Sequence, residues 1–179
     1  SHSEGKVFYD MTKKTLSYYN ENSDVTINLG QEILIRVKNE TGSTIPNGTV
    51  VYPSGANGSD ILIGLANCKY FEKCRLVGLA TTEITNGSYG YVAKVGVVGD
   101  VNTSSFSAGD FVYVSDTIDG GLTNTQPDGE CFITQIGVVK KVGTTDGEII
   151  VDINTSELSV EVTDTNGFPT SQRTGTTLS

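Results

Sequence analysis

An all-β fold is predicted for this chain on three observations: closely spaced glycine turns, strand-length β-branched and aromatic runs between them, and a single short stretch with helical character. Seven Asn-Gly or Asp-Gly pairs punctuate the sequence, at Asn47-Gly48, Asn57-Gly58, Asn86-Gly87, Asp119-Gly120, Asp128-Gly129, Asp146-Gly147 and Asn166-Gly167. Both residue types tolerate the positive φ of tight hairpin turns. Turn signals at this frequency predict a sandwich or barrel. The expected architecture is a short N-terminal β unit, then a small β-barrel or sandwich with one short helix, then an extended C-terminal tail.

The elements follow in order. Lys6–Asp10 and Thr15–Tyr19 read as two short aromatic strands joined at Met11-Thr12-Lys13-Lys14, and Asp24–Asn28 as a third. A hairpin of this size is marginal in water by itself. It needs neighbours, from this chain or from identical ones. Glu32–Lys38 alternates, with Ile33, Ile35 and Val37 on one face and Glu32, Arg36 and Lys38 on the other, so it reads as half buried. Strands are further predicted at Thr49–Tyr52, Asp60–Ala66, Arg75–Thr81, Tyr89–Val98, Phe111–Ser115, Cys131–Lys141 and Glu148–Asn154. Two segments, Phe111-Val112-Tyr113-Val114 and Ile136-Gly137-Val138-Val139, are apolar on both faces, which predicts that they sit centrally or against a second layer. Asn67–Cys74 is the helix candidate, about two turns long. The Thr/Ser-rich stretch 155–179 carries only scattered large apolar residues and reads as a linker or the start of a further domain.

Composition bounds the function. The chain has 179 residues, with 12 Lys+Arg against 21 Asp+Glu, a net charge of −9. Only 18% of residues are charged, and Thr, Ser, Asn and Gly take their place. With no block of Lys or Arg, the electrostatic footprint for nucleic acid or anionic membrane is missing. No run approaches the roughly 20 apolar residues of a membrane span. Neither partner class is expected.

Chemistry is sparsely provisioned. Ser1-His2 reads as a cloning remnant, so the single histidine is given no role, and a nucleophile lacks its usual base. Asp60, Asp100, Asp110, Asp116, Asp119, Asp128 and Asp146 sit beside turn residues, where a carboxylate caps its own backbone. No phosphate loop, nucleotide fingerprint or calcium-loop spacing occurs. No catalytic residue, cofactor or metal is therefore assigned. Cys68, Cys74 and Cys131 read either as buried free thiols or, for the first two, as a bridge across a short turn. Six Asn-x-Ser/Thr triplets, opened by Asn39, Asn47, Asn57, Asn86, Asn102 and Asn154, overlap the turns and report turn chemistry more than glycan attachment. The local pairs Tyr18-Tyr19, Tyr70-Phe71 and Tyr89-x-Tyr91 are candidate surface or interface aromatics; cross-strand packing is the competing reading.

A duplication is visible in the middle region. Ile45-x-x-Gly48-x-x-Val51-Tyr52 aligns with Phe106-x-x-Gly109-x-x-Val112-Tyr113, 61 residues on (45 to 106). Val77-Gly78-Leu79-Ala80 aligns with Ile136-Gly137-Val138-Val139, 59 residues on (77 to 136). Either residues 45–87 and 106–147 are similar halves of a pseudo-two-fold barrel, or a glycine-punctuated β chain produces the matches by chance.

The run Gly5-Lys6-Val7-Phe8-Tyr9-Asp10, followed by Lys14-Thr15-Leu16-Ser17-Tyr18-Tyr19-Asn20 and Val25-Thr26-Ile27-Asn28-Leu29-Gly30-Gln31-Glu32, resembles the small β unit that precedes domains in bacteriophage fibre and appendage proteins. The segment Val37 to Tyr52, the Val77-Gly78-Leu79-Ala80 step, Gly96-Val97-Val98, Phe106-Ser107-Ala108-Gly109-Asp110-Phe111-Val112-Tyr113 and Ile136-Gly137-Val138-Val139 are similar to the β-barrel domain of phage virion fibres. They are similar also to capsid-decoration, or cement, proteins. The resemblance covers about residues 4–154. It implies an N-terminal fibre-type unit over 1–30, a virion barrel over 31–154 and a linker over 155–179. It further implies a non-enzymatic structural role in a virion, with homotrimeric association, other virion proteins as partners and a distal part that meets a host receptor or glycan. Head decoration is the alternative within the same family. A carbohydrate-binding or glycan-degrading domain is the alternative outside it.

Overall fold

A computed structural model describes residues 2–129, 131–155, 162–163 and 169–170. The fold is all-β. Strands β1 (Val7–Asp10), β2 (Thr15–Tyr19) and β3 (Thr26–Asn28) form a separate antiparallel sheet in the order β1-β2-β3. Nine further strands make the main body: β4 (Ile33–Asn39), β5 (Val50–Asn57), β6 (Asp60–Leu65), β7 (Gly78–Ala80), β8 (Tyr89–Val101), β9 (Phe111–Val114), β10 (Leu122–Thr123), β11 (Thr134–Lys141) and β12 (Gly147–Thr155). A helical turn, α1 (Phe71–Cys74), interrupts them. The predicted tail falls largely outside the described residues; within it, Val162–Thr163 pairs with Pro169–Thr170.

The nine-stranded sheet runs β10-β9-β11-β12-β8-β4-β6-β5-β7, and β7 pairs back onto β8. Strands β8, β4, β6, β5 and β7 therefore close into a ring, with β4 and β6 parallel and the other contacts antiparallel. Long β8 continues past the ring, and its second half carries β12, β11, β9 and β10.

The two halves repeat one pattern. Strand order β6-β5-β7-β8-β4 in the first matches β10-β9-β11-β12-β8 in the second. Register agrees residue by residue: Val50↔Leu79 and Val51↔Gly78 correspond to Phe111↔Val138 and Val112↔Gly137. Leu79↔Ala93 and Ala80↔Val92 correspond to Val138↔Ile150 and Val139↔Ile149. Even the loop bonds recur. The amide of Gly48 donates to the Ala80 carbonyl, as that of Gly109 donates to Val139. The duplication read in the sequence is thus a structural repeat, and it is longer than predicted because β4 and the far half of β8 belong to it. Only the first half closes, since β6 is six residues long and reaches β4 while β10 has two.

Each half contributes one layer. Val37, Ile45, Val51, Ile63, Ala80, Ile84 and Val92 fill the ring. A larger core packs Val50, Leu79 and Ala93 from the outside of the ring against Val112, Val114, Ile136, Val139, Ile149 and Val151 of the second half. The first two residues of β5 (Val50 and Val51), all of β7, and Val92 and Ala93 of β8 are consequently buried on both faces.

Four local expectations need correction. Strand β5 runs on past Tyr52 through Pro53, because a register shift at Pro53/Gly55 removes the need for a ladder N–H at the proline. The stretch predicted as two helical turns from Asn67 is helical only over Phe71–Cys74. Asn67 accepts from the Lys69 amide and donates to Asp119, forming an Asx turn that competes with helix. The strand expected over Arg75–Thr81 shortens to Gly78–Ala80. Finally, the half-buried face expected of Ile33, Ile35 and Val37 holds only at its end: Val37 is 3% exposed but Ile33 is 58% exposed. The ring is sealed by β6 only at Lys38 and Asn39, so the start of β4 lies beyond it.

Candidate assembly surfaces

A row of large apolar side chains crosses four adjacent strands of the second half. Phe111 on β9 lies opposite Val138 on β11, Val138 opposite Ile150 on β12, and Ile150 opposite Val97 on β8. Phe111 is 54%, Ile150 44% and Val97 40% exposed. The strands β9 and β11 sit inside the sheet and pack one face on the larger core, as their apolar runs predict, while this row lies on their other face. The repeat supplies the comparison. The equivalent row in the first half is Val50, Leu79, Ala93 and Leu34, and there the second half of the same chain packs over it. Two chemically similar rows therefore occupy equivalent places, one covered and one bare.

The N-terminal sheet shows a second apolar face. Val7, Tyr9 and Leu16 are exposed on one side, where Val7 pairs with Tyr18 and Tyr9 with Leu16. The opposite side is turned inward and mixes aromatic with polar side chains: Phe8 and Tyr19 lie there beside Ser17, which bonds Asn28 Oδ1 at 2.9 Å, and Thr15, which bonds the Leu29 carbonyl at 3.0 Å, both buried. Glu21 fastens this unit to the body, accepting from Arg36 Nε at 2.8 Å and from the Tyr91 hydroxyl at 2.7 Å. Those two bonds hold the Glu21 carboxyl below its ordinary range, and burial with the same carboxylate pushes Tyr91 up to about 12. Glu32, at the junction, is shifted the other way by burial while accepting from the Asn28 amide.

The six aromatics singled out in the sequence are scattered over three places. Tyr18 and Tyr19 lie in β2, half buried, and Tyr19 packs on Phe8 with ring centroids 4.6 Å apart. Tyr70 and Phe71 are exposed at the helical turn; Phe71 packs on Phe132 at 4.9 Å. Tyr89 and Tyr91 share one face of β8, where the Arg36 guanidinium stacks 3.7 Å over Tyr89. They do not form a common groove. The aromatic that does lie in the bare row, Phe111, is not among the six and belongs to a segment noted in the sequence for its two apolar faces.

Acidic side chains are engaged locally. Asp110 accepts from the Ser107 amide and Asn124, both of which lower its pKa; Asp60 accepts from Tyr89, and Asp119 from Asn67. Among the described residues no three His, Cys, Asp or Glu side chains converge. No described helix is long and apolar enough to cross a membrane. Cys68, Cys74 and Cys131 are free and buried, so the Cys68–Cys74 bridge is not formed. Burial drives the thiol of Cys68 far upward and that of Cys74 to about 11. Comparison with known protein families, curated proteins and solved structures gives no match for this chain.

Proposed function

We propose that the chain is a non-enzymatic structural module of a bacteriophage virion, a homotrimeric fibre or appendage segment linking the particle to a distal host-receptor-binding part. The observation that carries the assembly reading is the bare row Phe111, Val138, Ile150 and Val97, set beside its covered equivalent. Contiguous apolar surface of this kind on a soluble domain marks an interaction site. The exposed Val7, Tyr9 and Leu16 of the N-terminal sheet add a second apolar face. The virion assignment rests on the resemblance of residues 4–154 to phage fibre and decoration domains.

Size-exclusion chromatography with light scattering tests it. Wild-type protein at micromolar concentration is expected at three times 19.0 kDa, and the double variant Phe111→Glu with Ile150→Glu at 19.0 kDa. A monomeric wild type, or a double variant of unchanged mass, refutes assembly through this row. Immunogold electron microscopy of particles separates a tail fibre from head decoration.

A further inference from the structure

An apolar cavity of about 220 Å³ opens at the unsealed side of the ring. Core residues Val51, Ile63 and Val92 form its floor, and the exposed side chains of Ile35, Ile61 and Leu76 its rim. Leu76 is held at φ 57, a left-handed conformation that a branched non-glycine residue adopts only where its surroundings force it. Against this wall stands one charged residue, Lys94.

The ammonium of Lys94 donates to the carbonyl of Val77, which lies between the lining residues Leu76 and Gly78. An ammonium has three donors. Among the described residues no carboxylate pairs with it, although five other cations have such partners. Burial without a counter-charge holds it below the usual lysine range. The cavity thus combines an apolar wall with an uncompensated positive charge at its edge.

We propose that this cavity binds small amphiphilic carboxylates, with an aliphatic chain of medium length against the ring core and the carboxylate on Lys94 Nζ. Charge complementarity selects the head group, since a carboxylate supplies the partner that burial denies Lys94. Volume selects the body. The space exceeds the roughly 150 Å³ of an engineered cavity that takes up benzene, and it falls short of the roughly 300 Å³ at which drug-sized pockets begin. The inference concerns the ring and does not rest on the assembly reading.

Titration calorimetry with sodium octanoate, and with 1-octanol as its neutral counterpart, tests the site on the full chain at neutral pH. Wild type is expected to bind octanoate more tightly than octanol. Lys94→Met is expected to weaken octanoate about ten-fold or more and to leave octanol nearly unchanged. Ile61→Trp, which fills the cavity from the exposed rim, is expected to abolish both, and it carries the test if Lys94→Met does not fold. Absence of octanoate binding to folded wild type overturns the proposal. So does octanoate affinity indifferent to Lys94→Met or retained in Ile61→Trp, or equal affinity for octanol. Dissociation of an oligomer by Ile61→Trp, with no octanoate binding to wild type, would assign the cavity to a second copy and equally overturn it.

Discussion

Single residues show how closely the two halves are matched. Gly78 and Gly137 are equivalent, and each lies where a neighbouring strand leaves little room. A Cβ on Gly137 would sit 1.9 Å from the Ile150 carbonyl oxygen, a backbone atom; on Gly78 the nearest atoms are Cγ2 and Cβ of the buried Val92 at 2.9 and 3.0 Å, so the contact is less severe but the valine must shift. Gly137→Ala is therefore expected to cost about 3 kcal/mol or more and Gly78→Ala about 1–2 kcal/mol in denaturant unfolding. Asn39 is buried and satisfied on both ends, donating to the Ser43 and Ile84 carbonyls and accepting from Thr41. Thr103 stands at the equivalent strand end and bonds the Lys141 carbonyl and the Gly143 amide. Removing either side chain orphans buried backbone groups, so Asn39→Ala should cost about 2 kcal/mol or more. The three buried thiols, two of them raised in pKa, should react with a thiol-specific chromogen only after unfolding. Immediate titration of any thiol in the folded chain would contradict the placement.

At the level of elements, docking of the β1-β2-β3 sheet depends on pH through Glu21 and Glu32. The lowered pKa of Glu21 means that its contribution is complete above the ordinary glutamate range and is lost as pH falls through the lowered value. Glu32, raised by burial, has the opposite slope: its ionisation opposes docking, and protonation relieves that cost. Protection factors of the β1–β3 amides, taken relative to intrinsic exchange at each pH, should fall on acidification toward pH 3, and Glu21→Gln should flatten that dependence. Glu32→Gln should steepen it. Strand positions were legible in the sequence because turn chemistry is local; β2 coincides with its predicted run, and β1, β6, β8, β9 and β12 differ by a few residues. Strand β10 was missed, since two residues carry no period. The length of α1 was overestimated because the Asx turn of Asn67 depends on Asp119, distant in sequence.

On the scale of the molecule, duplication with incomplete closure sets which surfaces are covered. Leu79 lies in the covered row and Ile150 in the bare one, at neighbouring positions of the repeat. Leu79→Ala should cost about 2–5 kcal/mol of chain stability. Ile150→Ala should cost under about 1 kcal/mol in dissociated chains and weaken assembly instead. Equal effects on stability and none on mass would show that the two rows do not differ in cover.

The all-β class and most strand runs were determined by the sequence alone, because turn residues and side-chain alternation are written in neighbouring positions; the recurrent spacing suggested the repeat, and the matching register of distant strands established it. The tertiary structure decided which half closes and which faces remain bare. Both follow from register between distant strands: β6 reaches β4 and seals the first half, and the second half spends one face covering the first while its other face, rowed with Phe111 and Ile150, is left without a layer.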